Sequence, residues 1–297
     1  MLHTSGVMTK LTEIPSKLWD LMPFSGPSGA LVTHLELTGM IAADGRAAKR
    51  LNLRRLEKAL DAAFKPAGLK AVAVSINSPG GSPVQSRLIH DRLRELAAEK
   101  QVPVYTFIED VGASGGYILA LAGDEIYADD SSVVGSIGVI SGGFGFPEAI
   151  AKLGVERRIY TAGDNKSQLD PFRPEDPEDL ARLQGLLDEL HRIFIDLVKA
   201  RRGDRLAEDP AIFSGQFWAA GQARALGLID GIGAVRAVLK EKFGEEVKIK
   251  RIASEEKSLI ARLMARGDVP GLAAGLVDPA AVLETVEEQA LWSRYGR

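Results

Sequence analysis

The stretch Gly112-Ala113-Ser114-Gly115-Gly116 carries the most chemistry for its length in this chain. It satisfies G-x-S-x-G, in which a serine hydroxyl projects from a tight strand-to-helix turn as a nucleophile. Small neighbours make room for the turn, and the start of the following helix offers N–H donors to a developing oxyanion. The pattern alone is moderately specific, because serine is also an ordinary N-cap. A second turn, Asn77-Ser78-Pro79-Gly80-Gly81, also lies between an apolar run and a helix signal. Its glycines let backbone N–H groups come close to a ligand, and a helix N-terminus adds positive potential. A plain turn would use the same residues, and the dinucleotide spacing G-x-G-x-x-G is missing. A third stretch, Val134-Gly135-Ser136-Ile137-Gly138-Val139-Ile140, reads by itself only as a strand entered through a small-residue bend.

A serine nucleophile needs a base. The chain has four histidines, His3, His34, His90 and His191, and no cysteine. Only His191 follows Ser114, and it falls in the middle of a long helical pattern. In α/β-hydrolases the histidine comes after the serine and the acid, so that fold is disfavoured. His3 is near the terminus, His34 follows Thr33 in the first strand, and His90 sits on a helix. Each reads as structural or exposed. A lysine base is the remaining option, since Ser-Lys pairs are known chemistry and burial can lower a lysine pKa. Residue type alone does not choose among the lysines.

The elements that must hold these turns alternate between strand and helix. Leu31–Ile41, Leu69–Ile76, Val102–Glu109, Glu125–Ala128, Gly135–Ile140, Val155–Thr161 and Val247–Ile252 read as strands. The Val- and Ile-rich run at Leu69–Ile76 suits a strand buried on both faces. Arg46–Phe64, Ser82–Lys100, Gly115–Ala122, Glu148–Leu153, Pro177–Arg202 and Val235–Phe243 read as helices, and Phe213–Gly233 as turn-rich. Ser82, Pro83 and Gln85 spell an N-cap with a capping box. Asp176 caps the long amphipathic helix, with Glu178 and Asp179 at its positive end. Beyond Ser254 two helices are predicted, separated by Gly267, Pro270 and Gly271. The alternation argues for an α/β fold. The organisation expected is an arm over 1–29, one catalytic domain over 30–252 and a helical extension over 253–297.

With 297 residues, 45% apolar and 26% charged, the chain is an ordinary globular sequence. A net charge of −3 argues against a nucleic-acid binder. The absence of cysteine excludes a thiolate zinc site and disulfides. The first 30 residues lack a signal-peptide core, and no run of 18 apolar residues marks a spanning helix. A cytoplasmic location is therefore expected. Leu11, Ile14, Leu18, Leu21 and Met22 recur at helical spacing beside Trp19 and Phe24. With few basic residues there, packing on protein is favoured over a peripheral membrane contact.

Taken in order, NSPGGS, GASGGY, GSIGV, TAGDNK and FSGQFWAAGQARALGLIDGIG resemble the signal peptide peptidase A family, SppA and its relative SohB. The resemblance runs from about Leu31 to Gly233. It implies a ClpP/crotonase-like fold of repeated ββα units and serine peptidase activity on extended peptides. The family's nucleophile falls on Ser114 and its general-base lysine on Lys166. Its lysine-supporting serine falls on Ser136, and its oxyanion donors are the N–H groups of Gly81 and Gly115. No metal or cofactor is implied, and a ring-like homo-oligomer, tetramer or octamer, with a shared dyad is. Family members are typically membrane-anchored, which this sequence does not show. A crotonase-type acyl-CoA enzyme on the same fold, or an inactive scaffold homologue, are the alternatives.

Overall fold

The computed structural model describes residues 29–43, 50–254 and 279–296. The strands are β1 (Leu31–Thr38), β2 (Leu69–Ser78), β3 (Val104–Ala113), β4 (Glu125–Ala128), β5 (Val133–Gly135), β6 (Phe217–Ala219), β7 (Gly231–Ile232) and β8 (Lys248–Ile252). The helices are α1 (Leu53–Phe64), α2 (Pro83–Lys100), α3 (Gly115–Ala120), α4 (Pro147–Lys152), α5 (Pro177–Arg202), α6 (Ala220–Ala225), α7 (Val235–Phe243) and α8 (Pro279–Ser293).

One sheet runs β6-β5-β3-β2-β1-β8, parallel except for the β5–β6 pair. This is the α/β, ClpP/crotonase-like class expected from the sequence. The run Ala71–Ile76 is buried throughout because both faces of the sheet are covered. On one face Leu35, Leu37, Leu60, Ile76, Ile89 and Leu93 join the main core. On the other, Val32, Ala71, Ala73 and Phe107 pack beneath Val238 and Leu239 of α7. Strand β3 has two partners in succession. Its residues 105–108 pair with β4, and 111–113 pair with β5. The second half carries the chain past the body of the sheet to Ser114.

Several expectations need correction. The capping box at α2 is half formed. Ser82 accepts from the Gln85 N–H, but the Gln85 side chain accepts from the Leu53 N–H at the start of α1. The Ser82 N–H donates to the Ile41 carbonyl, so Gln85 is free to tie two helices together. Helix α1 begins after an Asn52 cap instead of at Arg46, with 44–49 outside the described residues. Gly135–Ile140 ends its pairing at Gly135, and Val155–Thr161 is not a strand. A strand needs a neighbour to take its backbone hydrogen bonds, and no described strand lies beside that segment. The turn-rich Phe213–Gly233 holds β6, α6 and β7. The predicted helix before Gly267 and the arm over 1–28 lie outside the described residues; the final helix is α8.

The segment ending in Gly227-Leu228-Ile229-Asp230 is fastened by a buried ion pair. Arg202, 2% exposed, closes α5 by gripping both Asp230 oxygens at 2.8 and 3.0 Å. Asp230 also accepts from the Ile126 N–H. Burial pushes the Asp230 carboxyl up, but the Arg202 and Ile126 hydrogen bonds outweigh it and hold it below its usual range. The stability this adds is complete above the ordinary carboxylate pKa of about 3.9 and is lost as pH falls through the lower folded value. Asp230→Asn would leave the buried guanidinium unpaired and should cost about 3–5 kcal/mol. Urea unfolding of the variant and the parent at neutral pH measures the difference, and the gap should close on acidification.

Candidate active site

The two glycine-rich turns leave neighbouring strands side by side. β2 and β3 are in register to Ser78↔Gly112, so Pro79-Gly80-Gly81 and Ser114-Gly115 emerge together. The fit is close enough to require glycine. A Cβ on Gly80 would lie 2.7 Å from the Gly115 nitrogen and 2.8 Å from the Ser114 Cβ. Gly81 has φ +133°, and a Cβ there would overlap the Ile41 carbonyl oxygen.

Ser114 is at φ 53° and ψ −122°, a conformation that side-chain-bearing residues rarely adopt. Its N–H donates to the Gly135 carbonyl at 2.8 Å, tying the turn to β5. Its carbonyl accepts from Tyr117 and Ile118, which starts α3 behind it. Its hydroxyl makes no capping bond. The ordinary N-cap explanation therefore does not hold, since a capping serine would turn its oxygen back onto the helix. The side chain is half-buried.

The Gly81 and Gly115 nitrogens are neighbours. A Cβ on Gly115 would sit 3.3 Å from the Gly81 nitrogen. The hydrogen bonds around Gly81 run through the residues flanking it: Ile41 donates to the Gly80 carbonyl, and Ser82 donates to the Ile41 carbonyl. Among the described residues, the Gly81 and Gly115 N–H groups have no acceptor. Two such donors beside a projecting serine form the arrangement that stabilises a tetrahedral oxyanion.

Ser136 lies one residue beyond β5, at φ 54°, with its N–H donating to the Gln216 carbonyl at 2.6 Å. Since Gly135 accepts from the Ser114 N–H, the β3–β5 ladder brings Ser136 to the same end of the sheet as Ser114. Sequence reasoning missed the partner of its hydroxyl. Tyr295, just beyond α8, donates to it at 3.2 Å.

Lys166 is placed differently. It stands exposed on a turn, its N–H bonded to the Gly163 carbonyl at 3.2 Å. Among the described residues its ammonium has no hydrogen bond or ion pair, so it does not meet Ser114 or Ser136 within this chain. The segment that carries it is studded with exposed apolar side chains, including Phe144, Leu153 and Tyr160 at 82, 77 and 89%. Among the described residues the histidines offer no alternative base at Ser114, and His3 lies outside those residues. His34 bonds Ser75, His90 bonds Asp91, and His191 meets the Ile137 carbonyl. Burial pushes the His34 and His90 pKa values down. No cluster of three metal-ligating side chains exists among the described residues.

Residues 97–250 match the description "Peptidase family S49". A Brucella abortus protein named "Na(+)/H(+) antiporter NhaA" is 50% identical over 273 residues, covering 88% of this chain and 36% of that one. The chain thus spans about a third of that relative's length. "Serine protease SPPA, chloroplastic" of Arabidopsis thaliana is 28% identical over 73% of this chain and 34% of its own. "Probable protease SohB" of Haemophilus influenzae is 28% identical over 64% of this chain and 53% of its own.

Proposed function

The chain belongs to peptidase family S49, and on that premise we propose that it is a serine endopeptidase with a Ser114–Lys166 dyad. The observation that carries the reading is the elbow at Ser114, strained, uncapped and flanked by two unengaged N–H groups. Neutral Lys166 takes the Ser114 proton as Oγ attacks the scissile carbonyl. The Gly81 and Gly115 N–H groups hold the resulting oxyanion. Lys166 then gives its proton to the leaving amine, and the peptide C–N bond breaks. Water, deprotonated by the same lysine, hydrolyses the acyl-enzyme and frees Ser114. Ser136 orients the lysine. The substrate lies extended beside Gly81.

The lysine reaches the serine from a neighbouring copy of the chain. The exposed placement of Lys166 and the uncovered apolar side chains around it support this, since apolar patches of that kind mark interaction surfaces. Its work is beside a membrane. No helix among the described residues is long and apolar enough to cross one, but the Brucella relative bears the name of a sodium–proton antiporter.

A fluorophosphonate tests the core of this reading. Its phosphorus should bond to Ser114 Oγ with loss of fluoride, and peptide mapping should find that adduct and no other. Label at another serine, or none on a folded and assembled protein, would overturn the assignment.

A further inference from the structure

The hydroxyl of Ser136 is engaged by the segment just beyond α8. Tyr295 Oη donates to Ser136 Oγ at 3.2 Å across 159 residues of sequence. The Tyr295 ring meets Phe217 of β6 edge-on, with centroids 5.2 Å apart and planes at 70°. Phe217 pairs in turn with Gly135, the residue before Ser136. The tyrosine is therefore held by two independent contacts, one polar and one aromatic, on the strand pair that presents Ser136. The end of α8 that leads to it is seated, since Leu291 and Trp292 in the last turn and Tyr295 just beyond are half-buried while Val286 is 55% exposed.

We propose that α8 is a latch, and that Tyr295 holds Ser136 in a state that excludes the lysine. This rests on the reading of Ser136 as the group that orients Lys166. A serine hydroxyl has two lone pairs and one proton. The tyrosine therefore does not saturate it chemically. Exclusion comes from the phenol ring, which occupies the surroundings of the oxygen that the lysine must reach. The other half of the observation is Lys166 itself, exposed and without a partner among the described residues. Release of α8 frees Ser136 and completes the site, so activity depends on whether α8 is seated. Among the described residues it is the Ser136 and Phe217 contacts that hold this end of the segment, an attachment of the scale that local opening can release.

Two variants separate the polar contact from the ring. Tyr295→Phe keeps the ring and its Phe217 contact and removes the hydroxyl. Tyr295→Ala removes both. Peptide turnover and the rate of fluorophosphonate labelling at Ser114 should rise about threefold in the first and about tenfold in the second, the scale of one neutral hydrogen bond and then of the added aromatic contact. Amide exchange across 279–296 should quicken in Tyr295→Ala, a readout independent of turnover. Equal labelling rates in the wild type and both variants would overturn the latch and leave the peptidase reading standing. Slower labelling in the variants would overturn it too, making Tyr295 a supporting group. A Ser114 that takes no label in any of the three would overturn the peptidase reading, and the latch with it.

Discussion

Ser114→Ala should abolish peptide hydrolysis, with turnover falling on the order of 10⁴-fold or more, as loss of a nucleophile does in other serine hydrolases. The fold should survive. Alanine has the same Cβ as serine, and the hydroxyl makes no capping bond to the helix behind it that the change would lose. The backbone sharpens the test. Ser114 is held at φ 53° and ψ −122°, and a non-glycine residue in so sparsely populated a region costs about 1–3 kcal/mol. Glycine takes such a conformation without that penalty. Ser114→Gly should therefore be as inactive as Ser114→Ala and yet unfold at higher denaturant. A serine kept there for packing would give the opposite, a glycine variant that is no more stable and an alanine variant that still turns over. Denaturant midpoints and steady-state rates on the two variants decide between them.

Local signals made half of this site legible. The G-x-S-x-G pattern between an apolar strand and a small-residue helix is a local fact, and the strand, the turn and α3 all appear where it puts them. The meeting of Gly81 with Gly115 is not local. It follows from the β2–β3 register at Ser78↔Gly112, and no stretch of sequence encodes a register by itself. Read alone, the Pro79-Gly80-Gly81 turn favours a plain connection over an oxyanion site. Only the resemblance paired it with Ser114.

The misreadings have a common cause. Val155–Thr161 has the composition of a strand, but a strand is defined by its partner, and composition does not reveal whether one is available. Gln85 has the right spacing for a capping box, yet a neighbouring helix start offered its side chain a better-placed donor. Tyr295 gave no signal, because its partner Ser136 is 159 positions away. Periodicity reads what a residue does within its own element. In each of these cases the outcome was set by a residue from another one.

Lys166 lies furthest from anything its local sequence dictates. Lys166→Arg should be inactive, because a guanidinium stays protonated and cannot accept the Ser114 proton. The loss should again be on the order of 10⁴-fold, since members of a catalytic unit fail together. The more telling result comes from mixing. Lys166 is exposed, without a partner among the described residues, on a segment whose Phe144, Leu153 and Tyr160 are left uncovered. If a second copy covers that segment head-to-tail, one copy's lysine serves the next copy's serine. A Ser114→Ala subunit still offers its lysine, and a Lys166→Arg subunit still offers its serine. Refolding the two variants together in equal amounts should give mixed assemblies in which about a quarter of the heterologous interfaces pair an intact serine with an intact lysine. Roughly that share of wild-type turnover should return from two inactive parents. Native mass measurement establishes that the assemblies are mixed. If they are, and the mixture is as inactive as its components, the dyad forms within one subunit. The segment carrying Lys166 would then have to fold back onto its own Ser114 when the site assembles.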